Sequence, residues 1–285
     1  MDRFYVISNI DRDPNGQAAR AACDYLISKG KSCGYGSIDR MELNETSDAF
    51  TLSKVPEDTQ CVIIMGGDGT IIQAAVYLAK KQIPIIGVNL GRLGFLAEID
   101  KDSVYPALDR IIQGDYFLEE RMMLSGTCIS LNRESSETLA INDIVFTRSK
   151  AMRLLNYEIF VNGRLLTTVS GDGVIVSTPT GSTGYSMSAG GPIVEPDSMV
   201  ILITPISDHK LNSRPIVLSP DDEIVIKVAE SSFMEENPAQ VSFDGGVTFN
   251  MSVGDEVKIK RAKEITRVIK ISKESFLDII SRKFS

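Results

Sequence analysis

Cys61-Val62-Ile63-Ile64-Met65-Gly66-Gly67-Asp68-Gly69-Thr70-Ile71-Ile72-Gln73-Ala74-Ala75-Val76-Tyr77-Leu78 carries the architecture of the chain in miniature. The first five residues are an unbroken apolar run, the pattern of a strand buried on both faces in a parallel sheet. A helix is expected over 71–81. Between strand and helix stand three glycines and one carboxylate. Glycine lets backbone N–H groups approach a ligand without a Cβ in the way. The helix start behind it presents unpaired donors and a positive dipole end, so the loop suits a phosphate. Asp68 repels what such a loop attracts, which points to work at a reacting centre, either taking a proton or holding a metal. The competing reading makes Asp68-Gly69 a turn and Asp68 or Thr70 an N-cap.

Working outward, 4–10 and 83–88 read as further strands and 17–29 and 103–113 as helices, the last closed by Gly114. Buried strands joined by helices predict parallel βαβ units. Ligands of such sheets bind at the carboxyl ends of the strands, where 66–70 and 89–95 both fall. After Phe117 the pattern becomes strands and turns: 122–131, 139–148, 156–161, 164–169, 200–206, 223–228, 239–243, 256–260 and 267–271. Asn162-Gly163 marks a two-residue hairpin. A final amphipathic helix over 273–283 has Phe276, Leu277, Ile279 and Ile280 on one side. The fold class expected is an α/β N-terminal domain over 1–120, Rossmann- or phosphofructokinase-like, followed by a β-rich domain over 121–265 and a terminal strand and helix over 266–285.

A second stretch bears on function. Residues 173–194 read GVIVSTPTGSTGYSMSAGGPIV, without one charged side chain and with apolar ends that a flexible linker lacks. A buried loop of small hydroxyl residues suits a ligand held by hydroxyls and backbone groups, with Tyr185 available to stack. A tightly packed turn region is the alternative.

Composition narrows the class. The 285 residues are 43% hydrophobic and 24% charged, ordinary values for a globular protein with ample core. A net charge of −8 argues against nucleic acid or an anionic membrane as the main partner. A local backbone nest can still bind an anionic nucleotide. Cys23, Cys33, Cys61 and Cys128 show no metal-ligand spacing and are expected to be reduced thiols. The first eight residues are too charged for a signal peptide, and the apolar run 199–206 is far too short to span a membrane, so a cytoplasmic location is expected. Asp11-x-Asp13-x-Asn15-Gly16 opens like a calcium loop but has Ala22 at its twelfth position, so a polar turn capping the first helix is expected instead. Gly30-Lys31-Ser32 and Gly34-x-Gly36 lack the glycines that a phosphate or dinucleotide motif requires. His209 is the only histidine, which excludes a multi-histidine zinc site.

The loop 66–70, then Gly87-Val88-Asn89-Leu90-Gly91-Arg92-Leu93-Gly94-Phe95-Leu96, Asn142-Asp143, Gly171-Asp172-Gly173, Ser177-Thr178-Pro179-Thr180-Gly181-Ser182-Thr183-Gly184-Tyr185, Arg214-Pro215-Ile216-Val217-Leu218 and Ser242-Phe243-Asp244-Gly245 together resemble the NAD kinase family. The resemblance spans most of the chain and is weakest over 1–60. It implies transfer of the ATP γ-phosphoryl group to the 2′-hydroxyl of the adenosine ribose of NAD, with Asp68 as general base. Gly66, Gly67, Gly69 and Thr70 would cradle phosphates, with Asn89 and Arg92 as further donors. NAD would be held by Asp68, Gly69, Asn142, Asp143, Arg153, Asp172, Thr183, Gly184, Tyr185, Ser186, Met187 and Ser188. No dense carboxylate cage exists for a metal, so Mg²⁺ is expected to arrive on ATP. The resemblance also implies that the last helix packs back on the first domain. A homodimer or homotetramer is expected, with Asp172 reaching across subunits. Gly184 stands where the family often has alanine, and Gly246 where some members carry glutamine.

Two other classes compete. The 66–70 loop is shared with diacylglycerol-type lipid kinases, which would need a membrane-facing apolar or basic patch that this acidic chain does not advertise. A non-catalytic NAD(P)-binding regulator would have little use for Asp68.

Overall fold

The computed structural model describes residues 1–38, 55–91, 94–130, 133–149, 155–207, 214–230, 238–272 and 274–284. It divides into two units: residues 1–121 with 264–285, and residues 122–263.

In the first unit four parallel strands lie in the order Ser32–Ile38, Arg3–Asn9, Cys61–Gly66, Ile85–Asn89. The end of the long strand Glu256–Lys270 joins them in parallel at Val268, opposite Ile85. All six residues of Cys61–Gly66 are buried, as the unbroken apolar run requires. Helices Gln17–Ser28, Asp68–Lys81 and Val104–Gln113 supply Ala19, Ala22, Ala74, Ala75, Ala79 and Ala107 to the interior, where small side chains allow close approach. The Asp13 carboxylate accepts the Ala18 and Ala19 N–H groups (2.9 and 3.0 Å), so the calcium-like sequence is indeed a cap for the first helix. Gly114 closes its helix in the left-handed conformation at φ +80°.

The second unit is antiparallel. One sheet runs Ile216–Leu218, Ile201–Ile206, Gly173–Ser177, Asp143–Arg148, Ala239–Phe243, Thr248–Met251. A second pairs Arg164–Gly171, Leu155–Val161, Ile224–Val228 and the first part of Glu256–Lys270. One apolar core draws on both sheets, with the Phe146 and Tyr157 rings 5.2 Å apart. The Tyr157 hydroxyl donates to the Gly173 carbonyl (2.6 Å), so the buried phenol is satisfied. Asn162 and Gly163, both at positive φ, make the expected hairpin.

Four local expectations are corrected. The helix expected from Ile71 begins at Asp68, because Gly67 in extended conformation already ends the strand. The strand expected over 139–148 is two, Thr138–Ala140 and Asp143–Arg148, parted by a bend at 141–142. The strands expected over 256–260 and 267–271 are one continuous strand of 15 residues, since the polar run between them alternates faces rather than turning. In the last helix, Phe276–Phe284, the half-buried stripe is Phe276, Ile279, Ile280 and Lys283, at helical spacing, and Leu277 is 73% exposed. The edge strand Ser32–Ile38 escaped the sequence reading because two glycines break its pattern.

Candidate active site

The Cys61–Gly66 strand and the Asp68–Lys81 helix hold the glycine loop at the carboxyl end of the parallel sheet. A cleft of about 380 Å³ opens there, lined by Asn9, Asp11, Arg12, Gly67, Gly69, Thr70 and Gln73. The Asn9 amide donates to the Thr70 hydroxyl (3.2 Å), tying the end of the Arg3–Asn9 strand to the helix start. A Cβ at Gly66 would stand 2.7 Å from the Thr70 Oγ1, so this position requires glycine. Helix-start N–H groups and one arginine facing a cleft can hold a polyphosphate. Sequence reasoning missed Asn9 and Arg12. Their only signal was placement at the carboxyl end of the first strand, hidden by the calcium-like pattern around them.

Asp68, half-buried, does not line that cleft. Its carboxylate accepts the Phe95 N–H (2.7 Å) and the Leu96 N–H (3.3 Å). A Cβ built at Gly94 would overlap this carboxylate, so the loop leaves no room for a side chain there. Asn89, expected as a phosphate donor, is buried, and its side chain brackets the next turn. Its amide donates to the Gly91 carbonyl (2.6 Å) and its Oδ1 accepts the Gly91 N–H (3.1 Å). Arg92 and Arg153, like His209, lie outside the described residues.

In the second unit Asn142 and Asp143 flank the start of a strand. Asp143 is 6% exposed, and burial, with the Asp244 charge beside it, pushes its carboxyl up to about 7. Asp244 is itself pushed up to about 6 by burial, against three backbone N–H donors that hold it down. Asn142 Oδ1 is buried without a hydrogen-bond partner among the described residues. A Cβ at Gly184 would lie 3.7 Å from Asn142 Nδ2 and 3.8 Å from Asp143 Oδ2, which brings the 183–188 stretch to this pair. That stretch is helical: a 3-10 turn over Thr180–Thr183, then Tyr185–Ser188. Tyr185 stands exposed at 46%, whereas Ser186 is buried against the Thr204 hydroxyl (2.8 Å). Thr183 donates to the Thr180 carbonyl (3.2 Å), and Met187 and Ser188 are half-buried and exposed. Asp172 pairs with Arg148 at 3.0 Å. Asp244, which stands in the quoted 242–245 motif, was assigned no contact, because nothing in the sequence places it beside residues 141–143.

Comparison with known proteins turns this arrangement into an assignment. Residues 16–116 match the ATP-NAD kinase N-terminal domain and residues 141–271 the ATP-NAD kinase C-terminal domain. An NAD kinase of Lachnospira eligens is 39% identical over 99% of this chain and all of its own length. The chain belongs to the NAD kinase family. An NAD kinase of Lachnoclostridium phytofermentans is 40% identical over all of this chain and 99% of its own. Among solved structures, a yeast NADH kinase complexed with NADH superposes with a TM-score of 0.84 and 26% identity, over 99% of this chain and 87% of that one. An NAD kinase from Archaeoglobus fulgidus in complex with ATP shares the fold, with a TM-score of 0.71 over 95% of this chain and 94% of that one. The reaction of an ATP-dependent NAD kinase phosphorylates NAD to NADP at the expense of ATP. Among the described residues no helix is long and apolar enough to cross a membrane, and no three His, Cys, Asp or Glu side chains gather as a metal site.

Proposed function

We propose that this NAD kinase uses Asp68 as the general base for the 2′-hydroxyl of the adenosine ribose of NAD, with the glycine loop cradling the ATP phosphates. The observation that carries the reading is the Asp68 carboxylate itself. It is fixed by two backbone donors at the first residue of a helix whose neighbours Gly67, Gly69 and Thr70 line the cleft of about 380 Å³. An ionised carboxylate offers about four lone-pair sites, and the Phe95 and Leu96 N–H groups use two. A remaining one can take the hydroxyl proton as the oxygen attacks the γ-phosphorus, while the bond from that phosphorus to the β,γ-bridging oxygen breaks and ADP leaves with its electron pair. A positioned base contributes roughly 10²–10⁴-fold in rate. The rest comes from alignment and charge neutralisation of the transferring group.

Mg²⁺ is assigned to the ATP phosphates, where it would neutralise charge developing on the transferring group. Asn142 and Asp143 are assigned to the hydroxyl and amide groups of NAD, and Tyr185 to stacking on it. Asp172, Gly184 and the 183–188 turn complete that side in the same reading, and a homodimer or homotetramer is inferred from the family resemblance. A second role for Asp68, holding the 94–96 loop, is favoured by the same two hydrogen bonds. The direct test incubates the pure protein with ATP, Mg²⁺ and NAD and couples the product to an NADP-specific dehydrogenase. NADP formation that stops on chelation of the metal supports the reading, and no NADP overturns it.

A further inference from the structure

Asp244 leaves its strand in the left-handed region, φ +50°, with Gly245 following at +68°. The preceding residues, Ala239–Phe243, run antiparallel to Asp143–Arg148, and the Asp244 N–H extends that ladder to the Asp143 carbonyl (3.0 Å). The turn brings its carboxylate onto three consecutive backbone donors. Ile141 N–H donates to Oδ2 at 2.7 Å, and Asn142 and Asp143 N–H donate to Oδ1 at 2.8 and 2.9 Å. Converging amides of this kind make a nest for an anion, and here the anion belongs to the chain.

The opposite side of the same bend is held just as firmly. Thr178 donates its N–H to the Asn142 carbonyl (2.9 Å) and its hydroxyl to the Ile141 carbonyl (2.6 Å). A Cβ at Gly181 would overlap the Asn142 carbonyl, so the two backbones touch there. The bend at 141–142 is thus clamped from both sides. What it leaves unspent is the buried Asn142 Oδ1.

We infer that Asp244 is a positioning residue for NAD binding: its carboxylate sets the backbone from which the Asn142 and Asp143 side chains address the substrate. The inference rests on the reading that those two residues contact NAD. Only the ionised carboxylate fits the task. It accepts all three N–H groups, whereas an amide replaces one acceptor with a donor facing an N–H.

The test compares Asp244→Asn, Asp244→Glu, Asn142→Ala and Asp143→Ala for NAD and ATP affinity by calorimetry, alongside thermal unfolding. Asp244→Asn should weaken NAD at least tenfold and leave ATP within threefold, with Asp244→Glu recovering part of the loss. NAD affinity within threefold of the parent in folded Asp244→Asn, while Asn142→Ala and Asp143→Ala weaken it, overturns the inference alone. No loss of NAD affinity in Asn142→Ala and Asp143→Ala overturns the reading beneath it. Equal weakening of NAD and ATP with a lowered Tm marks Asp244 as a hairpin latch and also overturns the inference. Should Asp244→Asn not fold, amide hydrogen exchange in the parent decides. Slow exchange at Asn142 and Asp143 that slows further with NAD supports the clamp, and exchange as fast as in an open loop contradicts it.

Discussion

The Phe95 N–H donates to Asp68 Oδ2 at 2.7 Å, joining the first residue of a helix to a loop 27 positions later in the chain. One contact therefore fixes both the orientation of the carboxylate and the course of the 94–96 loop. Residues that touch this junction should alter turnover more than their distance from any substrate suggests.

Gly94→Ala is the simplest such change. The added methyl overlaps the Asp68 carboxylate, so either the loop or the aspartate must move. Overpacking of this kind costs about 1–3 kcal/mol. Misplacing a reacting group by an ångström costs roughly 10²-fold in rate. Steady-state kinetics and thermal unfolding of this variant should show both losses, and parental values in both would remove Gly94 from the junction.

Glu98 stabilises the first unit by holding its returning C-terminal strand. Its side chain is 3% exposed and binds Lys270 and the N–H groups of Ile271 (2.9 Å) and Ser272 (2.6 Å). Glu98→Ala leaves the largely buried Lys270 ammonium unpaired, so a loss of about 3–5 kcal/mol is expected in urea unfolding. A change within the error of the measurement would show that the strand end is held by its ladder alone.

Tyr185→Ala separates substrate contact from packing. The ring is 46% exposed, so Tm should hold. NAD affinity should fall by about 1–3 kcal/mol, the scale of a lost base–aromatic stack. An unchanged NAD dissociation constant by calorimetry would take Tyr185 out of the site.

The buried carboxyl of Asp143 makes stability depend on pH. Burial first, and the Asp244 charge second, raise it to about 7 from its ordinary value of 3.8. The folded state therefore binds the proton more tightly than the unfolded state, and stability falls as pH rises from about 4 to about 7. Below that window both states are protonated, and above it the penalty is constant. Asp143→Asn removes the penalty, so relative to the parent it should gain stability on the order of 2–4 kcal/mol across the window. Parallel pH profiles for parent and variant would contradict the burial of an ionisable group there.

The parallel sheet was legible because strands buried on both faces leave apolar runs that nothing else explains, as at Cys61–Gly66. The loop glycines were legible for a similar reason, since close backbone approach admits no side chain. Less visible was what each polar group does once placed. Asn89 is a ligand donor by resemblance, and the sequence does not show that one of its two amide N–H groups and its Oδ1 bracket Gly91, a contact made by a turn two residues long. Asp244 stands in a motif that carries the resemblance, but only the register between its strand and Asp143–Arg148 brings it to three N–H groups about a hundred positions away in the chain. Leu277 fails the helical stripe by one position, an error that periodicity alone does not resolve in a nine-residue helix.

The most direct test of the central claim is the turnover of Asp68→Asn beside its NAD and ATP affinities. Asparagine keeps one oxygen for the closer donor, Phe95 N–H, but turns its amide toward Leu96 and cannot take a proton. If Asp68 is the general base, kcat falls by roughly 10²–10⁴-fold while both substrates still bind, because the lost interaction belongs to the transition state. Turnover within threefold of the parent, with only a lowered Tm, would contradict the assignment and leave Asp68 as the residue that holds the 94–96 loop.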